Sequence, residues 1–490
     1  MENEIETDVE NKIATNIIKE KEQPPDYDLL SQGGYGNIYY NSNIDTIVKI
    51  QPLYSSPESN IFYESSLTEA IITNSLKSID SIPKINNIEI NYNTSNIHYY
   101  MPYYGKSLDK FTNKEILQKN AIPIILSLVE TCYKLYLNGV QHTDIKPGNI
   151  VVSDNFKEIK LIDLNIVSIK SSNKNNYGWS YGIGTWCYSE PSIIFDEEPS
   201  DTAMVWSIAF IIAYIYGDHP LLEYYPQLYK YERKDWKNIF MSMRKKYKTC
   251  FPLTKRHTTI MNPDLYYIFN ICTQWDWNKR PTIRKLHELM INHFSETNDY
   301  IKIDPKLELY NNKQFKPYYN RINRTIYFNT VYNICKITNT FDILCRILIL
   351  IDLYPDDHTD YSIIGCIYIS NIISNNLLND IYNKVICYFF ENIKITDIND
   401  AIISTLYKFN WQCYFQTPDT VFINYIIENI QNNNDNKIKK DEYILMDNLY
   451  TTNKYYKILF NVIKKIEEPY TVYDLCEIAF KDIKSLLKIE

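Results

Sequence analysis

From Asp28 to Tyr104 apolar and polar residues mostly alternate, and beyond that they shift to helical spacing. From Asp28 to Tyr104 the chain reads as strands. Ile38-Tyr39-Tyr40 passes through Asn41-Ser42-Asn43 into Thr46–Ile50, and Asn93–Asn96 separates Ile85–Tyr92 from Ile97–Tyr103. Each pair predicts a β-hairpin, because β-branched and aromatic runs flank a polar turn. Between the hairpins, Leu67, Ile71, Ile72 and Leu76 share one face of a helix predicted over Ser65–Lys77. From Leu108 to about Phe294 the pattern is mainly helical, interrupted by a short hairpin at Ile150–Val152 and Ile159–Ile162. A small strand-rich unit ahead of a larger helical one implies a cleft between them, and ligands bind in clefts.

The last part of the chain differs in texture. Helices are predicted over Thr330–Leu353, Tyr361–Ile373, Leu378–Ile393, Tyr443–Ile466 and Tyr473–Ile489, with a polar break at Asn432–Asn436. No fixed-period repeat marks a solenoid. At the other end, Pro24-Pro25 closes a charged stretch. The expected division is a flexible acidic tail over 1–26, a strand-rich lobe over 27–104, a helical lobe over 105–298 and a separate all-α C-terminal domain over 299–490, an α+β chain as a whole.

Composition narrows the class. With 490 residues, 45% hydrophobic and 22% charged, the chain has globular and not disordered composition. Lys and Arg number 51 against 59 Asp and Glu, a net charge of −8, whereas a general nucleic-acid binder carries a basic surplus; no nucleic-acid partner is expected. The nearest approach to a membrane span, Val205–Tyr216, falls short of the roughly 18 apolar residues required, so no membrane partner is expected either. The N-terminal MENEIETDVENK lacks the apolar segment of a secretory signal. Ten cysteines form no C-x-x-C, and no histidine pair stands at ligand spacing, which predicts reduced thiols, no structural zinc and a cytoplasmic setting. Abundant Ile, Asn, Lys and Tyr beside scarce Gly, Ala and Arg fit an AT-rich genome, such as that of a large DNA virus or an AT-rich protist. A viral protein would work in the host cytoplasm or travel in the virion.

Glycine is the informative scarcity. Only 11 occur, where average usage is about 7%, and ten of them lie between Gly33 and Gly217 with Gly365 alone beyond. Glycine serves where backbone takes positive φ or approaches a neighbour closely, so its positions direct attention to the first 300 residues. In Ser31-Gln-Gly-Gly-Tyr-Gly-Asn-Ile-Tyr39, Gly33, Gly34 and Gly36 occupy a turn between strands, where backbone N–H groups can lie over phosphates. Taken alone it is also an ordinary hairpin turn. Lys49, in Ile47-Val-Lys-Ile50, either snorkels at a sheet edge or points into a cleft toward an anion. His142-Thr-Asp-Ile-Lys-Pro-Gly-Asn149, followed by Leu161-Ile-Asp163-Leu-Asn165, is more specific. Two carboxylates, a lysine and an amide at these offsets can position a hydroxyl nucleophile and hold Mg²⁺.

With these motifs in order, the chain resembles the eukaryotic serine/threonine protein kinase family over about residues 28–296. The resemblance implies a bilobal kinase fold, ATP and Mg²⁺ as cofactors, and protein substrates. SQGGYGNIY corresponds to the glycine-rich loop, with Gly33, Gly34, Gly36 and Ile38 expected at the nucleotide and Ser31 where the first glycine usually stands. Lys49 matches the lysine of the α/β-phosphates, and Glu69 the helix glutamate that pairs with it, with Glu64 as fallback. Met101–Tyr104 matches the hinge that receives adenine, Met101 and Tyr103 being the expected contacts, and YYGKSLDKF is similar to the casein kinase 1 branch. Asp144 matches the catalytic base, Lys146 the lysine that steadies the γ-phosphate in serine/threonine kinases, and Asn149 and Asp163 the metal ligands. Gly184–Pro191, Trp206-Ser207, Gly217–Pro220 and Lys279–Thr282 match the docking segment and structural signposts of the large lobe.

Four departures from the pattern carry expectations. Thr143 replaces the arginine that receives an activation-segment phosphate, leaving Lys170 and Lys174 as the nearest cations. Asn165 replaces the glycine of the metal-binding motif, where a residue tolerant of positive φ is expected. Ser192 replaces a glutamate, so Arg280 needs another carboxylate, Glu190 or Glu197. Met204 replaces an aspartate that braces the catalytic loop. An active kinase is the reading these residues favour. A pseudokinase or scaffold that binds protein partners is the alternative, and a small-molecule kinase of related fold a third. For the C-terminal domain, a partner-binding module, a regulatory cover and a stabilising extension all stay open.

Overall fold

The computed structural model describes residues 24–33, 36–53, 65–156, 158–169, 185–195, 200, 202–222, 225–227, 230–294, 321–356, 358–374, 380–390, 393–415, 417, 454–466, 474–475 and 478. Its first sheet has five antiparallel strands, β1 (Asp28–Gly33), β2 (Gly36–Asn41), β3 (Thr46–Pro52), β4 (Asn87–Asn91) and β5 (Asn96–Pro102), in the order β1-β2-β3-β5-β4. Both predicted hairpins are present. Their turns are closed by asparagine: Asn41 Oδ1 accepts from the Asn43 N–H at 3.0 Å, and Asn91 Oδ1 from the Asn93 N–H at 3.1 Å. A side-chain oxygen here does the work of a backbone carbonyl. The glycine-poor chain meets its need for left-handed backbone in the same way, with positive φ at Asp26, Asp45, Asp163, Asn339 and Asn410.

Alternation along β3 sorts its side chains between two faces. Val48 and Ile50 join Tyr39 in a small core on one face, with Tyr27 and Tyr100 packed against it. Lys49 and Gln51 take the other face, where both contact Glu69 of α1 (Ser65–Ser75).

The helical lobe comprises α2 (Lys114–Lys119), α3 (Ala121–Leu137), the single turn α4 (Pro191–Ile194), α5 (Ala203–Tyr216), α6 (Arg233–Lys246), α7 (Lys255–Ile260), α8 (Pro263–Cys272) and α9 (Ile283–Phe294). Asparagine and proline mark helix starts: Asn113 caps α2, and Asn262 caps α8 ahead of Pro263. Five short strands complete it: β6 (Lys106–Ser107), β7 (Val140–His142), β8 (Ile150–Val152), β9 (Ile159–Leu161) and β10 (Val167–Ile169). β8 pairs with β6 and β9, and β7 with β10, all antiparallel. Every residue of α5 is buried, so the apolar run Val205–Tyr216 belongs to the lobe's central helix. Trp206 sits there among Phe210, Phe240, Phe251 and Trp275, with ring centroids 5.4 to 6.1 Å away. Among the described residues no helix is long and apolar enough to cross a membrane.

The C-terminal region is helical where described: α10 (Arg321–Thr338), α11 (Leu344–Leu353), α12 (Asp360–Ile373), α13 (Asp380–Phe389), α14 (Ile398–Lys408) and α15 (Lys454–Lys465). The single helix expected over Thr330–Leu353 is two, because Asn339 takes φ 55° and turns the chain between α10 and α11. The expected helix over Leu378–Ile393 is shorter, and α14 was not anticipated, although Ile398, Ala401, Ile402 and Leu406 carry helical spacing. Of the helix expected at Tyr443–Ile466 the part from Lys454 is described; that at Tyr473–Ile489 lies almost wholly outside the described residues, as does the acidic tail. Gly365 explains its isolation in the sequence: a Cβ there would stand 2.1 Å from Thr405 Oγ1 and 2.6 Å from the Ala401 carbonyl, so glycine lets α12 and α14 touch. Arg324 of α10 forks onto Asp352 of α11 at 2.7 and 2.6 Å and donates to the Ile463 carbonyl of α15. One apolar core runs from the first sheet through α3 and α5 into α11, α12 and α14.

His219, after α5, shows how polar groups are spent in this core. Its Nε2 lies 2.7 Å from the Cys187 carbonyl, its Nδ1 accepts from the Leu221 N–H, and its ring stacks on Phe210 at 4.9 Å. Burial pushes its pKa down to about 3. Below pH 6.5 the unfolded chain takes up a proton at this residue that the folded chain refuses. Stability is therefore expected to fall as pH drops from about 6.5 toward 3, with His219 adding up to about 1.4 kcal/mol per pH unit. Urea midpoints at pH 7.5 and 5.5 check this: the wild type should lose more on acidification than His219→Gln. Equal losses would rule it out.

Candidate active site

The turn from β1 to β2 carries the glycines. Gly33 pairs with Gly36, and Gly36 takes φ 149° with the space of its absent Cβ only 2.2 Å from the Ile50 carbonyl. No other residue fits there without moving β3. Gly34 lies outside the described residues. Below this turn is a cavity of about 760 Å³, lined from the first sheet by Gly36, Ile38, Ile47, Lys49 and Met101, and from the helical lobe by Lys146, Asn149, Val151 and Asp163. Tyr103 and Tyr104 line its side, and Gly105 closes the linker onto β8, where a Cβ would meet the Val152 carbonyl at 2.2 Å. The Tyr103 N–H donates to the Asp45 carbonyl at 3.0 Å, which anchors the linker to the β2–β3 turn.

Three charged groups meet at the back. Lys49 Nζ lies 2.8 and 2.9 Å from the two oxygens of Glu69 and 2.7 Å from Asp163 Oδ1. Glu64, the fallback partner, lies outside the described residues. Burial works against the ammonium, but Asp163 and Glu69 outweigh it and hold the Lys49 pKa above the ordinary lysine value. Burial likewise opposes ionisation of Asp163, and Lys49 overcomes it, so Asp163 is held below the usual carboxylate range. Burial raises Glu69 even beside Lys49. Gln51 Nε2, two residues along β3 on the same face, donates to Glu69 Oε2 at 2.8 Å. Sequence reading passed over Gln51; its only signal is the i, i+2 spacing from Lys49.

The loop between β7 and β8 gathers the remaining groups. Lys146 Nζ donates to Asp144 Oδ2 at 2.5 Å and to Thr185 Oγ1 at 3.0 Å, while the Thr185 N–H donates to Asp144 Oδ1 at 2.9 Å. Asn149 Nδ2 donates to the Asp144 carbonyl at 2.9 Å and to its Oδ2 at 3.1 Å. Those bonds occupy the donors of the amide and leave its oxygen as the group that can meet a cation. His142 Nδ1 accepts from the Asp144 N–H at 3.2 Å, and its Nε2 lies 3.0 Å from the Ile162 carbonyl, which makes Nε2 the protonated nitrogen. Burial keeps this imidazole neutral by lowering its pKa.

The departures from the family pattern are placed as follows in the fold, with the Asn165 amide buried and without a hydrogen-bond partner among the described residues. Thr143 gives its N–H and its hydroxyl to the Ile166 carbonyl, at 3.3 and 3.0 Å, and so ties the loop to the start of β10. The left-handed backbone falls on Asp163 (φ 70°) and not on Asn165, which corrects the expectation placed on Asn165. Lys170, Lys174 and Glu197 lie outside the described residues. Met204 is buried, and the loop is held by the His142 and Asn149 bonds in place of an aspartate. Arg280 finds Glu190: Nη1 and Oε2 are 2.5 Å apart with both side chains fully buried, and Glu190 also accepts from the Ser200 hydroxyl at 2.7 Å. Trp206 covers the guanidinium at 4.8 Å.

The sequence matches the protein kinase domain family over residues 26–291, more than half of the 490-residue chain. The chain belongs to the protein kinase family. Similar proteins include mitogen-activated protein kinase 12 of Danio rerio, 23% identical over 212 residues that make up 41% of this chain and 57% of that protein. A probable serine/threonine-protein kinase, mkcE, of Dictyostelium discoideum is 24% identical over 266 residues, 52% of this chain and 34% of that one. Among solved structures, the Cydia pomonella granulovirus kinase PK-1 aligns with a TM-score of 0.40 at 17% identity, over 58% of this chain and 98% of its own. This kinase spans about half the length of the mitogen-activated kinases it matches.

The buried Glu190–Arg280 pair joins the segment ahead of α4 to the loop ahead of α9 of this kinase lobe. Removing one partner strands a charge in the core, which costs about 3–5 kcal/mol. Glu190→Met and Arg280→Met should each destabilise the protein by that order in urea unfolding. The double variant should cost less than either alone, because no buried charge remains. A double variant worse than both would show that the pair is not the source of the loss.

Proposed function

We propose that this protein is a serine/threonine protein kinase that transfers the γ-phosphate of ATP to protein hydroxyls. The observation that carries the reading is the meeting, across one cavity, of the Lys49–Glu69–Asp163 cluster with Lys146 and Asn149, both of which bond to Asp144. Phosphoryl transfer asks a protein mainly for positioning and for charge stabilisation, and these groups serve both.

In this reading the γ-phosphorus gains a bond to the substrate oxygen and loses its bond to the β–γ bridging oxygen, and Asp144 takes the hydroxyl proton. Its carboxylate is oriented by three donors, from Lys146, Asn149 and the Thr185 N–H. Lys146 bonds to Thr185 as well, which couples the γ-phosphate site to the segment expected to dock the substrate. Lys49 is held by Glu69 to meet the α/β-phosphates. The donor set suits Mg²⁺: Asn149 and Asp163 offer hard oxygens, and one ammonium between two carboxylates leaves a net negative charge for a cation to offset. Held there by Asn149 and Asp163, Mg²⁺ would supply positive charge to offset the negative charge that develops on the phosphates. Among the described residues no group of three or more His, Cys, Asp or Glu side chains forms a metal cage, in keeping with an ion held chiefly through substrate phosphates.

Of the departures behind the scaffold alternative, Ser31, Ser192 and Met204, that at Ser192 is offset by Glu190, which meets Arg280. The nine described cysteines are free thiols, which suits a reducing compartment, and we assign the protein to the cytoplasm.

Purified full-length protein with Mg-ATP and a generic protein substrate should transfer phosphate to serine or threonine. Asp144→Asn should lower kcat by roughly 10²- to 10⁴-fold while nucleotide binding persists, the usual share of a general base. Equal transfer by that variant would overturn the role of Asp144, and phosphate found only on small metabolites would overturn the protein substrate. Since Thr143 stands where a phosphate-receiving arginine would be, phosphatase treatment should leave activity intact; silencing by phosphatase would refute this.

A further inference from the structure

Helix α1 carries Glu69, yet it has no solvent face. All eight residues from Leu67 to Asn74 are buried, and at 3.6 residues per turn they cover the whole circumference. One side is accounted for by the cleft, through the Glu69 pair with Lys49 and through Thr73, which lines the cavity. The C-terminal region supplies cover from elsewhere: α12 packs directly on α1.

Beyond α14 the chain reverses. Asn410 and Trp411 take φ 48° and 61°, and the Trp411 N–H donates to the Leu406 carbonyl at 2.8 Å. This directs Tyr414 at two helix ends. Its N–H donates to Ser75 Oγ, the last residue of α1, at 3.0 Å, and its hydroxyl donates to the carbonyl of Asn138, just past α3, at 2.5 Å. Arg346 of α11 secures the segment, with Nη1 3.0 Å from the Phe415 carbonyl and its guanidinium 5.4 Å from the Tyr414 ring. A third tie runs from the Tyr407 hydroxyl to the Ile88 carbonyl of β4 at 3.3 Å.

An 11-residue helix is marginal by itself, so packing decides where α1 sits. We propose that α12, α14 and residues 411–415 are a built-in positioning element, in which α12 and Tyr414 hold α1 where Glu69 reaches Lys49. Tyr414 is then a positioning residue. It touches no reacting group and acts through α1, bridging the helix that carries Glu69 to the lobe that carries Asp144. The catalytic consequence of this brace rests on the kinase reading above, whereas its mechanical part does not.

The test uses the full chain with Ser75→Ala and Tyr414→Phe together, which remove the acceptor on α1 and the hydroxyl that reaches Asn138. Hydrogen exchange should quicken roughly tenfold or more in amides 67–74, as two lost hydrogen bonds imply, with α5 and α9 unchanged. Unchanged exchange in α1 would overturn the proposal. In the activity assay the KM for ATP should rise roughly fivefold or more with the KM for protein substrate unaltered, since Lys49 serves the nucleotide. A fall in kcat at constant KM for ATP, the mark of a smaller folded fraction, would overturn it too. If the wild type transferred no phosphate at all, the kinase reading would fail while the exchange measurement still decided the brace.

Discussion

A single ammonium, that of Lys49, sits between carboxylates from two separate parts of the chain, and the geometry of the cleft depends on it. Glu69 arrives on α1 and Asp163 on the stretch between β9 and β10, and both reach Lys49 Nζ within 2.9 Å. Buried ion clusters are poor sources of stability, because desolvation cancels much of the Coulomb attraction. Their effect is geometric: each carboxylate is satisfied only when its element stands in one place. Gln51, adding a bond to Glu69 from the same strand, narrows that place further.

Around this cluster the chain keeps constraints while changing the residues that meet them. Arg280 demands a buried anion, and the carboxylate comes from Glu190, two positions before Ser192. The loop between β7 and β8 is braced from within by a neutral imidazole at His142, while Met204 is buried. The junction with β10 is closed by a threonine hydroxyl in place of a long cation. In each case the physical requirement is local and can be met by any group of suitable polarity within reach.

That distinction separates what was legible in the chain from what was not. The two hairpins and α1 are legible because each lies in a short segment with its own periodicity, whereas Lys49, Glu69, Asp144, Asn149 and Asp163 stand out through motifs that resemble the kinase family's. Glu190 could be narrowed only to one of two candidates, since a buried ion pair spanning 90 residues leaves no local pattern. The break at Asn339 was hidden by apolar residues continuing at helical spacing on both sides. The contact of α12 with α1 had no signature at all: residues that read simply as buried helix do not say which neighbour buries them.

Tyr414 and Ser75 are 339 residues apart in the chain. A ribosome adding about 5–20 residues per second needs roughly 17 to 68 seconds to pass from one to the other. Within that interval Asp144, Lys146, Asn149 and Asp163 are made, while α1 still lacks the chain that will bury its remaining surface. The small lobe thus waits for segments made long after its own residues, and the order of synthesis keeps a finished cleft from preceding the chain that covers α1.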